Sequence, residues 1–133
     1  MQSGNRAAQA YRRVETESRS PLEIVVMLYD GALRFLVEAR EAHARGDRRA
    51  RAHAVSRTLA IVAELQNTLD LEQGGQVAEQ LDNLYIYLTS RLLDVTLKQD
   101  VAAIDEVHKL LTPIRDAWGQ IASPAAAPVA AVR

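Results

Sequence analysis

The stretch Ile24-Val25-Val26-Met27-Leu28-Tyr29-Asp30-Gly31-Ala32-Leu33-Arg34-Phe35-Leu36 decides how this chain folds. It holds more apolar side chains than a helix docking by one stripe needs. At 3.6 residues per turn, Ile24, Leu28, Ala32, Phe35 and Ala39 share one face. Val26, Tyr29, Leu33 and Val37 share a second, and Glu23, Asp30, Arg34, Glu38 and Glu41 make the polar stripe. A helix apolar on two faces is wedged between neighbours or keeps one face for a partner.

Outward from this stretch the boundaries are chemical. Ser20 can cap free amides, Pro21 suits the first helical position, and Glu23 favours the positive end of the dipole. Gly46 suits the left-handed stop after about residue 45. Asp47 is a cap for a second helix running to about residue 71, with Val55, Leu59, Val62, Leu65 and Leu69 inward. Gly74 and Gly75 break the pattern. A third helix is expected over about 76–99, with Val77, Leu81, Leu84, Tyr85, Leu88, Leu92 and Val95 inward. Ile86, Leu93 and Leu97 lie on its far side as a second apolar row. Asp100 is the expected cap of a fourth helix carrying Ile104, Val107, Leu110, Leu111, Ile114, Trp118 and Ile121.

Short links between four amphipathic helices predict an all-α, antiparallel four-helix bundle over residues 20–122. Residues 1–19 are polar and read as a mobile N-terminal arm. Residues 123–133 are mostly Ala, Pro and Val and read as a disordered C-terminal tail. The 133 residues carry a net charge of −1 and no cysteine, which excludes disulfides and thiolate metal sites. No run approaches the roughly 20 apolar residues that span a bilayer, and the chain start lacks a signal peptide's apolar core. The expected location is the cytoplasm (cytosol), with no membrane insertion.

No catalytic constellation is present, so the chain is not expected to be an enzyme. Glu41 and His43, like Glu106 and His108, are two apart and share no helix face. No metal or other cofactor is therefore expected. Arg40, His43, Arg45, Arg48, Arg49, Arg51 and His53 cluster around the first helix junction. Without net positive charge or interleaved aromatics they read as a solvated or protein-binding patch, with no nucleic acid partner. The surplus apolar rows are the stronger functional lead, as an interaction surface.

The chain also resembles the flagellin export chaperones, the FliS family. The matching residues are Ser20-Pro21, Met27-Leu28-Tyr29-Asp30-Gly31-Ala32-Leu33, Leu69-Asp70, Gln73-Gly74-Gly75, Leu84-Tyr85 with Tyr87, Arg91-Leu92, and Asp116-Ala117-Trp118. The resemblance implies a non-catalytic helical bundle that binds the disordered C-terminal segment of flagellin. It implies prevention of premature polymerisation and delivery to the flagellar type III export gate. Under it, Val26, Tyr29, Leu33, Val37, Ile86, Leu93 and Leu97 are the candidate flagellin-binding residues. Tyr11 matches the family's arm tyrosine, the candidate contact with the cytoplasmic domain of the export gate. Ala8 stands where members often carry a large apolar residue. The other reading is a small helical adaptor that self-associates through its apolar stripes.

Overall fold

The computed structural model describes residues 20–122. Four helices follow one another: α1 (Pro21–Ala44), α2 (Arg48–Asn67), α3 (Gly75–Leu97) and α4 (Ala102–Ile121). The described residues form an antiparallel four-helix bundle. The expectations for the arm, including Ala8 and Tyr11, and for the tail beyond residue 122 lie outside the described residues.

The caps act where the sequence places them. Ser20 Oγ accepts from Glu23 N at 3.1 Å, and Asp47 Oδ1 accepts from Ala50 N at 3.0 Å. Gly46, with φ +72°, turns the chain between α1 and α2. Asp100 does not cap α4. Its carboxylate is taken by Arg91 Nη1 at 2.9 Å, and the helix starts at Ala102 without a side-chain cap. α2 ends at Asn67, short of the expected residue 71. Thr68 Oγ1 turns back to Leu65 O at 2.6 Å, and the next residue, Leu69, enters the core.

The helices stand in a ring. α1 packs against α2 and α4, and α3 packs against the same two, while the diagonal pairs stay apart. Gly31 marks the close approach of α1 to α2, since a Cβ there would lie 3.3 Å from Ile61 Cδ1. The inward row of α1 is Leu22, Val25, Tyr29, Ala32, Leu36, Ala39 and Ala42. This row runs between the two expected faces. Ile24 is therefore exposed, and Phe35 is half-buried under the guanidiniums of Arg34 and Arg57 at 5.4 and 5.7 Å. Tyr29 is fully buried, and its hydroxyl meets that of Tyr85 from α3 at 2.7 Å. Burial pushes both phenols above their ordinary pKa, so they remain protonated.

In α3 the inward row is Ala78, Tyr85, Leu88, Leu92 and Val95. Val77, expected inside, is 53% exposed, and Leu81 and Leu84 are half-buried. The small Ala78 permits close packing where Val77 would have pointed. Polar links fasten α3 to its neighbours. Gln66 Nε2 donates to Asp82 Oδ1 at 2.8 Å on the α2 side. Arg91 reaches Glu106 at 2.6 Å on the α4 side, beside the bond from Tyr87 to the same carboxylate.

Candidate functional site

The apolar surplus emerges on three successive flanks of the ring. The first is the outer, α2-ward side of α3. Asp82, Ile86, Leu93 and Leu97 share one helical face by their spacing, and the Gln66 bond to Asp82 places that face toward α2. Ile86 is 55% exposed, Leu93 42% and Leu97 75%. The core of the single chain does not absorb this row.

The second flank is a groove between α3 and α4, open along one side and about 620 Å³ in volume. Val77, Leu81 and Leu84 form one wall. Pro113, Ile114, Ala117, Trp118 and Ile121 form the other. Sequence reasoning counted most of these residues as plain core. The missed signal is that Val77, Leu81 and Leu84 repeat at four and three residues. They therefore lean to one side of the Ala78–Tyr85–Leu92 row. Trp118 is buried at the groove's floor, and its Nε1 has no hydrogen-bond partner of normal geometry.

The third flank lies between α4 and α1. Val26, Asp30, Leu33, Val37 and Arg40 share a face of α1 by their spacing. Arg115 clasps Asp30 at 2.6 and 3.3 Å, and Arg40 bonds Asp105, so this face meets α4. Val26, Leu33 and Val37 are half-buried there. Tyr29 does not join them, because its whole surface is inside the core. The α1 and α3 candidates thus do not converge on one pocket. They lie on opposite flanks, with the groove between.

The basic cluster divides on inspection. Arg51 is only 8% exposed. Its Nη1 lies 3.1 Å from His43 Nδ1, and its Nη2 donates to Gln99 Oε1 at 2.7 Å. Arginine only donates, so in this contact His43 Nδ1 is the accepting atom. Arg51 therefore ties the end of α1 to the end of α3, where Gln99 adopts φ +56°. Arg40 pairs with Asp105. Arg48 and Arg49 are exposed, and nothing in the structure explains them.

Among the described residues, no group of three or more His, Asp or Glu could hold a metal ion. No helix among them is long and apolar enough to cross a membrane. The chemistry on offer is apolar contact spread over a long path, with polar groups at its edges.

Comparison with known proteins supplies the family. The family model described as flagellar protein FliS matches residues 4–125. The flagellar secretion chaperone FliS of Salmonella typhimurium is 41% identical over 122 residues, covering 88% of this chain and 90% of the relative. That of Campylobacter jejuni is 37% identical over 117 residues, covering 88% and 91%. That of Vibrio cholerae is 32% identical over 117 residues, covering 85% and 86%. A match of this extent, on a bundle of this form, places the chain in the FliS family of flagellar proteins.

Proposed function

We propose that the chain is a flagellar export chaperone that binds the disordered C-terminal segment of flagellin in the cytoplasm. The observation that carries this reading is the distribution of apolar surface. It follows three adjacent flanks instead of filling one pocket. A folded partner with a single interface has little use for such a path. A segment that orders only on binding gains from it, because each residue fixed costs about 1–2 kcal/mol of backbone entropy and needs contact along its length.

On this reading, Ile86, Leu93 and Leu97 receive one part of the segment. The groove over Trp118 receives a second, and the flank of Val26, Leu33 and Val37 a third. Amphipathic turns of the cargo lay their apolar side chains on each flank in turn. The bound segment is thereby withheld from the contacts that polymerise flagellin. The N-terminal arm, with Tyr11, contacts the cytoplasmic domain of the export gate and passes the cargo on. No chemistry is catalysed.

Titrating the full chain with a peptide of the flagellin C-terminal segment tests the reading. The expected result is saturable one-to-one binding with a gain of helical signal. Concentration-dependent dimers that ignore the peptide would instead establish the self-associating adaptor.

A further inference from the structure

The groove over Trp118 reaches the end of the bundle where the last helix finishes. Val77, in the first turn of α3, and Ile121, the last residue of α4, stand on its two walls at that end. Leu84 and Pro113 stand at the other. At 1.5 Å per residue the walls are about 10–12 Å long. The chain leaves α4 through Ala122, beside that mouth. Residues 123–133 follow, reading Ser-Pro-Ala-Ala-Ala-Pro-Val-Ala-Ala-Val-Arg. Ser123 and Arg133 apart, each of them is Ala, Pro or Val.

We infer that this segment of the chain is the groove's own occupant: it turns back from Ala122, lies along the groove over Trp118, and yields the place to cargo. The displacement, though not the docking, rests on the chaperone reading above. Reach is sufficient. Pro124 lacks the amide that would continue α4 and biases Ser123 toward extended backbone. At about 3.1 Å per residue, roughly four extended residues span the groove, and nine follow Pro124. Shape fits as well, since Ala, Pro and Val are short side chains suited to a trough open along one side, and proline limits the entropy lost on docking. The hollow between α4 and α1 also borders Ala122, but Arg115, Asp116 and Gln120 line it, and hydrocarbon laid there would strand them. The groove over Trp118 offers only Gln80 besides its apolar and aromatic walls. Residues 1–19 enter at the same end of the bundle, yet they join α1, which does not border this groove, and six of them are charged. Small side chains hold weakly, but the tether supplies a local concentration in the millimolar range. The segment is thus a cover that keeps water off the groove and gives way to larger apolar side chains.

The test uses the full chain. It has no cysteine, so Ala130→Cys gives a single attachment point for a nitroxide. The label is expected to broaden the amide signals of Leu81 and Leu84 more than those of Val26 and Leu33, on the flank between α4 and α1. Adding Val129→Asp and Val132→Asp to the labelled chain should remove that difference, because carboxylates are not taken into hydrocarbon. Both positions lie outside the four helices, and an unchanged far-ultraviolet spectrum confirms the fold. Without the label, the double variant should bind the flagellin C-terminal peptide roughly 2- to 10-fold more tightly than the parent, since its groove is no longer shared. Broadening spread evenly over all faces, broadening centred on Val26 and Leu33, or broadening that passes only from labelled to unlabelled copies overturns the docking. Equal peptide affinity for parent and double variant overturns the displacement. If the groove signals broaden while the peptide fails to bind the parent, the chaperone reading falls, the displacement falls with it, and the docking stands.

Discussion

The hydroxyls of Tyr29 and Tyr85 meet at 2.7 Å and join α1 to α3, two helices whose backbones never come into contact. Each hydroxyl is the other's partner, so both are satisfied in an apolar interior. Tyr85→Phe alone orphans the Tyr29 hydroxyl and is expected to cost about 1–3 kcal/mol. Tyr29→Phe with Tyr85→Phe removes both polar groups and should cost less than the two single changes summed. Urea unfolding of the four proteins measures the difference, and strictly additive losses would show that the hydroxyls do not act as a pair.

Neighbouring leucines on α3 should separate stability from binding. Leu92 is sealed in the core, and Leu92→Ala is expected to cost about 2–5 kcal/mol. Leu93→Glu or Leu97→Glu should shift stability by no more than about 0.5 kcal/mol. Each should nevertheless weaken the flagellin peptide roughly 10-fold or more, since a docked leucine is worth about 1.5–3 kcal/mol. Thermal melts and titrations on the same samples decide the matter. Unfolding of either glutamate variant would assign that position to the core.

The α3–α4 seam predicts a dependence on acid. The Tyr87 hydroxyl, and after it Arg91, hold the Glu106 carboxyl below the ordinary carboxylate range. A depressed folded pKa contributes stability above the unfolded value of 4.5, and that contribution is lost as pH falls through the lower folded value. Tyr87→Phe removes the largest cause. The melting temperature of the variant should fall less steeply through this acid window than that of the parent. Parallel pH profiles would rule out the link.

Arg51 supports two helix ends from a nearly buried position. Arg51→Ala is expected to lower stability by about 1.5–3 kcal/mol. Arg51→Lys should recover little, because one ammonium cannot span both His43 and Gln99. Hydrogen exchange supplies the second readout, with faster exchange at Lys98 to Asp100 in both variants. Unchanged exchange there would mean that Gln99 holds its left-handed conformation unaided.

On the proposed reading, Tyr11 of the arm contacts the export gate. Tyr11→Ala should bind flagellin peptide as tightly as the parent while being pulled down less by the gate's cytoplasmic domain. Equal recovery of both proteins would remove the arm from the handover.

The four helices were legible because Ser20-Pro21, Gly46-Asp47 and Gly74-Gly75 are local signals, and local signals survive tertiary packing. The inward row of α1 was not. With apolar residues on most of its circumference, several rows bury similar area, and the inward one is set by packing against α2 and α4, with Tyr85 of α3 meeting Tyr29 from 56 positions away. Asp100 failed as a cap for a related reason, because Arg91 competes for its carboxylate and no spacing rule reveals that contest. The row of Ile86, Leu93 and Leu97 was readable, since one helix cannot bury two opposite stripes. The groove over Trp118 was missed because half-burial leaves no distinct periodicity, only a lean of Val77, Leu81 and Leu84 to one side.

α3 is held along its sides by Gln66 to Asp82, by Arg91 and Tyr87 to Glu106, and at its end by Arg51 to Gln99. Of these links only Arg91 to Glu106 joins two opposite charges, and the arginine side chain is mostly covered there, so added electrolyte screens it weakly. The other links pair a charge with a neutral group and give salt little to act on. The more open ion pairs, Arg40 to Asp105 and Arg115 to Asp30, lie between α1 and α4. Ionic strength therefore acts first on that seam and spares α3, the rod that the two apolar tracks share.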